Sequence, residues 1–183
     1  MNRLARFLVL IAAVYLSMAV QEFIPPLNLF WDARIVLVPI FFCLGALELP
    51  FLLMIVLALF TGLASDLMTL QVVGTQVEIA VGWSIIFYVL AGCTLQGVRP
   101  PYLRGHWELH AFGSALCTIL LLACQFLMLS FRRMETGGLV FHWIILARIF
   151  VPGSAALLIS PFVYMAIRAC GLCHQPRRLR SYA

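Results

Sequence analysis

The sequence contains no lysine and has few charged residues of any kind. Twelve arginines and seven acidic residues make up 10% of the 183 residues, whereas 64% are hydrophobic. A soluble domain is about half apolar and about a quarter charged. A chain of this length cannot hide so large an apolar excess in one aqueous core, because much of a folded surface must stay polar. The composition therefore excludes an ordinary soluble domain and predicts an integral membrane protein with short loops.

Recognisable catalytic and metal-binding motifs are also absent from the sequence. It has no nucleophile elbow, no phosphate-binding glycine loop and no acidic metal cluster. Cys170 and Cys173 have a suggestive spacing, but structural zinc usually needs four ligands, and the sequence offers no second such pair. His106, Glu108 and His110 lack the spacing of a helical zinc hydrolase, so we interpret them as polar residues of a solvated loop. We expect no enzyme activity, no cofactor and no bound metal.

The arginines lie near the ends of apolar segments and do not form a stripe with polar residues. This distribution is typical of topology control and contact with lipid headgroups, and it argues against nucleic-acid binding. At the N-terminus, Arg3 and Arg6 precede an apolar run, as they would in a signal peptide. The run continues to Ile24 and ends at a Pro25–Pro26 pair, so we interpret it as an uncleaved first span.

Apolar segments predict an all-α membrane protein, a bundle of six transmembrane helices. The predicted spans are Phe7–Ile24, Ile35–Ala46, Pro50–Ala64, Val77–Leu95, His110–Phe131 and Phe141–Ile167. They form a single domain over residues 1–169. Residues 170–183 are predicted to be a basic cytoplasmic tail.

The second and third spans come from one apolar stretch, Ile35–Ala64. A single helix of that length would reach about 45 Å, well beyond a hydrocarbon core of about 30 Å. It would also place Glu48 and Pro50 at mid-membrane, where proline removes a helical hydrogen bond. Two short helices joined by a tight turn around Glu48 avoid both costs.

The arginine positions support this division independently, because cytoplasmic loops carry the excess of positive charge. With six spans and a cytoplasmic N-terminus, three loop arginines face outside, namely Arg34, Arg132 and Arg133. The cytoplasmic arginines are then Arg3, Arg6, Arg99, Arg104, Arg168, Arg177, Arg178 and Arg180. Five spans would reverse this bias. We therefore predict six spans, with both termini in the cytoplasm.

Asp66 is the most informative acidic residue, because it ends the third span. Ala58, Gly62 and Ser65 share a helical face with it, since spacings of three and four residues align on a helix. Small residues on such a face let a neighbouring helix approach closely. An acid at a helix C-terminus is disfavoured by the macrodipole, which suggests a specific contact. We predict that this face packs against another helix, in this chain or in a partner.

Arg148 lies about two turns into the last predicted span. Charged groups at that depth are costly and usually have a partner or reach the surface. Two interpretations are therefore open: Arg148 extends towards the headgroups, or it pairs with Asp66, Glu22 or Glu78. The two glutamates lie at span ends, where an interfacial position is the simpler interpretation.

Three features of the chain resemble the rod-shape-determining membrane protein MreD family. The first span ends in a polar and proline-rich turn, Ala19–Leu27. A split apolar stretch follows, ending in a G-x-x-x-D motif, Gly62–Asp66, before an apolar residue. After a loop containing Gly74 and a fourth span, the last span carries two prolines within Arg148–Phe162. The resemblance covers most of the chain.

The resemblance implies a non-catalytic scaffold of the bacterial cell-elongation machinery in the inner membrane. Members of the family associate with MreC, a bitopic protein with a periplasmic domain, and with the actin-like filament and cell-wall synthases. The implied partners of this chain are therefore an MreC-like protein, these elongation components and membrane lipid. The implied function is support of lateral cell-wall synthesis and rod shape.

The family fold is similar to the six-helix substrate-binding component of energy-coupling-factor transporters, which suggests an alternative function. The chain would then bind a small, vitamin-like molecule for a membrane transporter. Such a site needs polar and aromatic side chains that converge from the outer loops. The candidates in those loops are Asn28, Trp31, Gln71, Thr75 and Gln76, and they form no recognisable motif. The sequence favours the scaffold.

Overall fold

A computed structural model describes residues 3–25, 34–68, 72–73, 76–77, 82–137 and 143–169. In this part of the chain there are six helices, as the apolar segments predict. They are α1 (Arg3–Phe23), α2 (Val38–Glu48), α3 (Phe51–Met68), α4 (Trp83–Leu103), α5 (Glu108–Gly137) and α6 (Trp143–Ala169). Between α3 and α4, β1 (Val72–Val73) and β2 (Gln76–Val77) form a short antiparallel pair.

The predicted break around Glu48 is confirmed. Helix α2 ends at Glu48, the backbone of Leu49 is extended, and α3 begins directly after Pro50. Gly45 and Leu57 would be about 18 Å apart along one continuous helix. Instead they are in direct contact, because a methyl group added at Gly45 would meet the Leu57 side chain. The chain therefore reverses here, and α3 packs back against α2.

Helix α2 lies at the centre of the bundle and touches each of the other five helices. Nine of its eleven residues are buried, so it has no polar face and no lipid-facing side. Its length is only about 16 Å, roughly half of a hydrocarbon core. Such a helix is stable only inside a sheath of other helices, since an isolated segment this short would not form in water.

Four of the described helices are long and apolar enough to cross a membrane, which fits a multi-pass membrane protein. They are α1, α3, α5 and α6. The short helix α2 and helix α4 do not belong to this group. Large apolar side chains cover the outer surface, and Phe23, Leu52 and Phe162 are each more than 70% exposed. Lipid is the solvent that suits such a surface.

The start of α2 differs from the predicted one. The helix begins at Val38 and not at Ile35, with Pro39 in its first turn. Proline has no amide hydrogen and a fixed φ, so it fits the first turn of a helix, where that amide would have no helical partner.

The fourth helix also differs, since it covers Trp83–Leu103 and not the predicted Val77–Leu95. Val77 belongs to β2, where it pairs with Val72. Gly82 then forms the N-cap of α4 with a φ of 106°, a left-handed conformation that favours glycine. The apolar run that continues through residues 77–81 concealed this boundary.

Close helix contacts occur where glycines replace larger side chains. Helix α3 packs along α4 at Gly62, where an added methyl group would lie 2.5 Å from the Cα atom of Ile85. Helix α5 packs along α6 at Gly153, where an added methyl group would collide with the side chain of Ile119. In lipid, such packing is a main source of helix association, since burial of apolar surface gives no gain.

The approach of α3 to α4 leads to a first prediction. Gly62→Ala should lower the free energy of unfolding by about 1–3 kcal/mol, because the backbone of Ile85 has to move. The matched control is Gly97→Ala on α4, where an added methyl group meets no atom within 4 Å. That change should be neutral or stabilising by up to about 1 kcal/mol through helix propensity. Thermal unfolding in detergent measures both, and equal melting temperatures would contradict the close approach.

Candidate functional site

The end of α2 presents backbone carbonyls that no helical amide can satisfy. The last amide of the turn, that of Leu49, donates to the carbonyl of Gly45 at 2.9 Å. Gln96 on α4 satisfies two of the remaining carbonyls. Its side-chain Nε2 donates to the carbonyl oxygens of Ala46 at 2.8 Å and Leu49 at 3.0 Å. Gln96 therefore binds the last turn of α2 and the extended residue that follows it.

Arg99, three residues further along α4, satisfies the other two carbonyls. Its Nε donates to the carbonyl of Leu47 at 3.1 Å, and its Nη2 donates to that of Glu48 at 3.4 Å. The hydroxyl of Tyr102 then donates to the Glu48 carboxylate at 3.1 Å. These residues recur every three positions, so α4 presents one polar stripe to the break. We call Gln96, Arg99 and Tyr102 the α4 clamp.

The α4 clamp was not predicted from the sequence, because the fourth span was predicted to end at Leu95. Arg99 was assigned only to loop topology. The sequence does contain a signal for the clamp, since Gln96, Arg99 and Tyr102 lie on one helical face if the fourth helix continues beyond its predicted end. What the sequence does not show is that the acceptors lie about 50 residues earlier in the chain.

His110 does not belong to a solvated loop, and this prediction was wrong. It is fully buried in the first turn of α5. Its Nε2 lies 3.2 Å from the carbonyl oxygen of Ile40, and its Nδ1 lies 2.7 Å from the hydroxyl of Ser160. A carbonyl only accepts, so Nε2 carries the proton and Nδ1 accepts from Ser160. His110 thus joins α2, α5 and α6.

The other two residues of that group, His106 and Glu108, do lie at the surface. Their side chains are more than half exposed, and Nδ1 of His106 is 3.8 Å from a carboxylate oxygen of Glu108. Gly105, with a φ of 111°, lies in the turn between α4 and α5. Glu108 is the first residue of α5 and is exposed, whereas His110, two residues later in the same turn, is buried.

Asp66 is buried near the end of α3, with only 2% of its surface exposed. Its Oδ2 accepts a hydrogen bond of 2.6 Å from the backbone amide of Gly82, the N-cap of α4. The N-terminus of a helix carries a partial positive charge and unsatisfied amides, both of which favour a carboxylate. This contact offsets the unfavourable position of the acid at the C-terminal end of α3.

The small-residue face of α3 lies against helices of the same chain. Ala58 and Gly62 are buried, and Ser65 is partly buried. Gly62 contacts the backbone of Ile85 on α4. The described geometry therefore uses this face for packing inside the chain and leaves little of it to a partner.

The structure also describes Arg148 and one of the two glutamates that were predicted as its possible partners. Arg148 and Glu22 both lie on exposed helix surfaces, on α6 and at the end of α1. Glu78 lies outside the described residues. Pairing of Arg148 with Asp66, Glu22 or Glu78 stays a prediction. Within the described ranges, no group of three or more His, Cys, Asp or Glu residues could hold a metal ion.

Two grooves open sideways on the described helix surfaces. One lies between α4 and α5, has a volume of about 150 Å³, and includes Gly113 and Thr94 among mostly apolar side chains. The other lies between α5 and α6 and has a volume of about 390 Å³. It is lined by Ala115, Ile119, Phe150, Val151, Gly153, Ser154 and Leu157. Apart from the one hydroxyl residue in each, these walls are apolar.

The α4 clamp leads to a second prediction. Gln96→Leu keeps the size of the side chain but leaves the carbonyls of Ala46 and Leu49 without their donor. It should lower the free energy of unfolding by about 1–3 kcal/mol for each buried acceptor that water cannot reach. Gln125→Leu on α5 is the matched control, since Gln125 is also partly buried but lies away from the break. Equal melting temperatures of the two variants would contradict the role of the clamp.

The burial of His110 leads to a third prediction. His110→Ala should cost at least about 2 kcal/mol, because it leaves a cavity and removes the donor to Ile40. The double variant His106→Ala, Glu108→Ala should change the free energy of unfolding by less than about 0.5 kcal/mol, as exposed substitutions usually do. Thermal unfolding and membrane-inserted abundance measure both effects. A tolerated His110→Ala would contradict the buried network.

Comparison with known proteins does not identify the family of this chain. No family model, no curated protein and no solved structure matches it. Inference about its function therefore depends on its own residues and their arrangement.

Proposed function

We propose that the chain is a non-catalytic scaffold of the MreD type in a bacterial inner membrane. It binds a bitopic, MreC-like partner and supports lateral cell-wall synthesis together with the synthases and the actin-like filament. The proposal includes six membrane spans, both termini in the cytoplasm and a fold similar to the substrate-binding component of energy-coupling-factor transporters. Its starting point is the resemblance in the first span, the split apolar stretch with Gly62–Asp66, and the proline-bearing last span.

The observation that carries the proposal is that the two grooves on the helix surfaces have mostly apolar walls. A small-molecule site needs several polar groups that converge on the ligand. The larger groove, between α5 and α6, offers only the hydroxyl of Ser154, which already donates to the carbonyl of Val151 at 2.8 Å. Ser154, which is both small and exposed, instead leaves space on this surface for another helix. Small residues are what helix association in lipid requires.

The buried polar side chains support the same function from the inside. The α4 clamp, His110 and Ser160 form hydrogen bonds between helices of this chain. They hold helices of the bundle to one another, and none of them lines either of the two grooves. A rigid body with apolar sides suits a protein that acts by binding neighbours in the membrane plane.

The alternative, a vitamin-like binding component, has less support. Of its candidate residues, Gln76 lies in β2. The other four, Asn28, Trp31, Gln71 and Thr75, lie outside the described residues.

Capture of a tagged MreC-like chain from detergent-solubilised membranes tests the proposal. The wild-type protein should be captured well above an unrelated six-span protein, and its depletion from rod-shaped cells should make them round. Ser154→Leu should reduce capture per inserted molecule by about tenfold, because filling the groove costs a helix partner about 1.4 kcal/mol or more. Ala12→Leu, a matched change at an exposed position on α1, should leave capture unchanged.

Two outcomes would count against the scaffold. Depleted cells that keep their rod shape would remove the protein from cell elongation. Wild-type capture at the level of the unrelated protein would remove the MreC-like partner. Full capture by Ser154→Leu would instead exclude only the groove between α5 and α6 as the binding surface.

A further inference from the structure

A proline in the last helix frees one backbone acceptor in the wall of the larger groove. Pro161 lies inside α6 and has no amide hydrogen, so the carbonyl of Leu157, four residues earlier, has no α-helical donor. Leu157 lines the groove between α5 and α6 and is 37% exposed. Ser154, Leu157 and Pro161 follow one another at spacings of three and four residues, so they share one helical face. We call these three residues the α6 docking face.

The depth of this carbonyl limits what can donate to it. Leu157 lies about 20 Å from either end of α6, Trp143–Ala169, at a rise of about 1.5 Å per residue. Helix α6 is one of the helices that are long and apolar enough to cross a membrane. Neither water nor lipid headgroups reach the middle of the hydrocarbon core. A donor to this carbonyl therefore has to come from protein.

The hydroxyls that α6 itself carries nearby already have other acceptors. The hydroxyl of Ser154 donates to the carbonyl of Val151 at 2.8 Å, and that of Ser160 donates to Nδ1 of His110 at 2.7 Å. Each hydroxyl has only one proton to give. The α-helix also continues across Pro161, without a 3₁₀ or π turn that would pair the freed carbonyl in another way.

The facing wall of the groove offers no donor either. Helix α5 contributes Ala115 and Ile119, whose side chains have no polar atoms. The groove thus combines apolar walls, space beside the small and exposed Ser154, and one backbone acceptor. In membrane proteins, neighbouring helices commonly satisfy the carbonyls that prolines free. This combination fits a helix of another chain that brings its own hydrogen-bond donor.

We propose that the α6 docking face binds a membrane-spanning helix that donates a hydrogen bond from a hydroxyl or side-chain amide to the carbonyl of Leu157. This inference rests on the proposed scaffold function, in which the occupant is the spanning helix of the MreC-like partner. It adds the chemistry of recognition, because the partner needs a serine, threonine, asparagine or glutamine where it crosses Leu157. A fully apolar helix would bury the carbonyl without a donor and bind more weakly.

Pro161→Ala tests the inference, because it restores the amide hydrogen and closes the helical hydrogen bond to Leu157. The variant should unfold at the wild-type melting temperature or above it, since α6 gains a hydrogen bond. Capture of the tagged MreC-like chain per inserted molecule should nevertheless fall by about three- to tenfold, as expected when one interhelical hydrogen bond in a membrane is lost.

Pro152→Ala is the matched control. Pro152 is buried and lies nine residues before Pro161, which places it on the opposite side of α6. Its replacement also restores a helical hydrogen bond, but away from the α6 docking face, and should leave capture unchanged.

Changes in the partner identify the donor. Its hydroxyl and amide residues in the spanning segment are replaced one at a time by apolar residues of similar size. One replacement should lower capture by the wild-type protein by the same factor as Pro161→Ala. The same replacement should have no further effect on capture by Pro161→Ala, because the two changes remove one hydrogen bond.

Four results would overturn the inference. Undiminished capture by Pro161→Ala, while Ser154→Leu still reduces it, would leave the groove as the binding surface without the hydrogen bond. Equal losses in Pro161→Ala and Pro152→Ala would assign the effect to the shape of α6. Loss of self-capture alone, between two tagged copies of Pro161→Ala, would make the occupant a second copy. Wild-type capture at the level of an unrelated protein would defeat the scaffold function and this inference together.

Discussion

Four backbone carbonyls at the end of α2 are the constraint on which the arrangement of α2, α3 and α4 depends. The chain reverses around Pro50, so the carbonyls of residues 46–49 lose their helical partners among largely buried residues. Gln96 and Arg99 provide the missing donors. That requirement fixes α4 beside the break. It also lets a helix of only eleven residues lie at the centre of the bundle.

The parts of the fold that follow from local chemistry could be predicted from the sequence. Glu48 and Pro50 predicted the break, and the apolar segments predicted six helices. Gly62 and Asp66 marked a face that needed a neighbour. The parts that depend on distant contacts could not be predicted in this way. Nothing near Gln96 indicates that its acceptors lie in α2, and nothing near His110 distinguishes a buried network from a solvated loop.

The core of the described bundle is mostly apolar, as in a soluble protein, but large apolar side chains are also exposed on its surface. The described polar networks hold helices to one another, whereas the sides of the bundle are apolar and expose large side chains such as Leu52 and Phe162. An apolar surface suits the proposed scaffold, because a partner helix would pack against apolar and small side chains and would not depend on polar side chains of this protein for recognition. Asp66 is the exception, since its Oδ1 is buried without a hydrogen-bond partner in the described part of the chain.

The reversal at residues 48–50 is tested most directly by determining on which side of the membrane the turn and the C-terminus lie. Topology reporters fused after Leu49 and after Ala183 should both report the cytoplasm, while one fused after Thr75 should report the outside. That result requires the chain to return across the membrane between Leu49 and Thr75. Reporters after Leu49 and after Ala183 on opposite sides of the membrane would contradict the account, because the chain would then not reverse at the break.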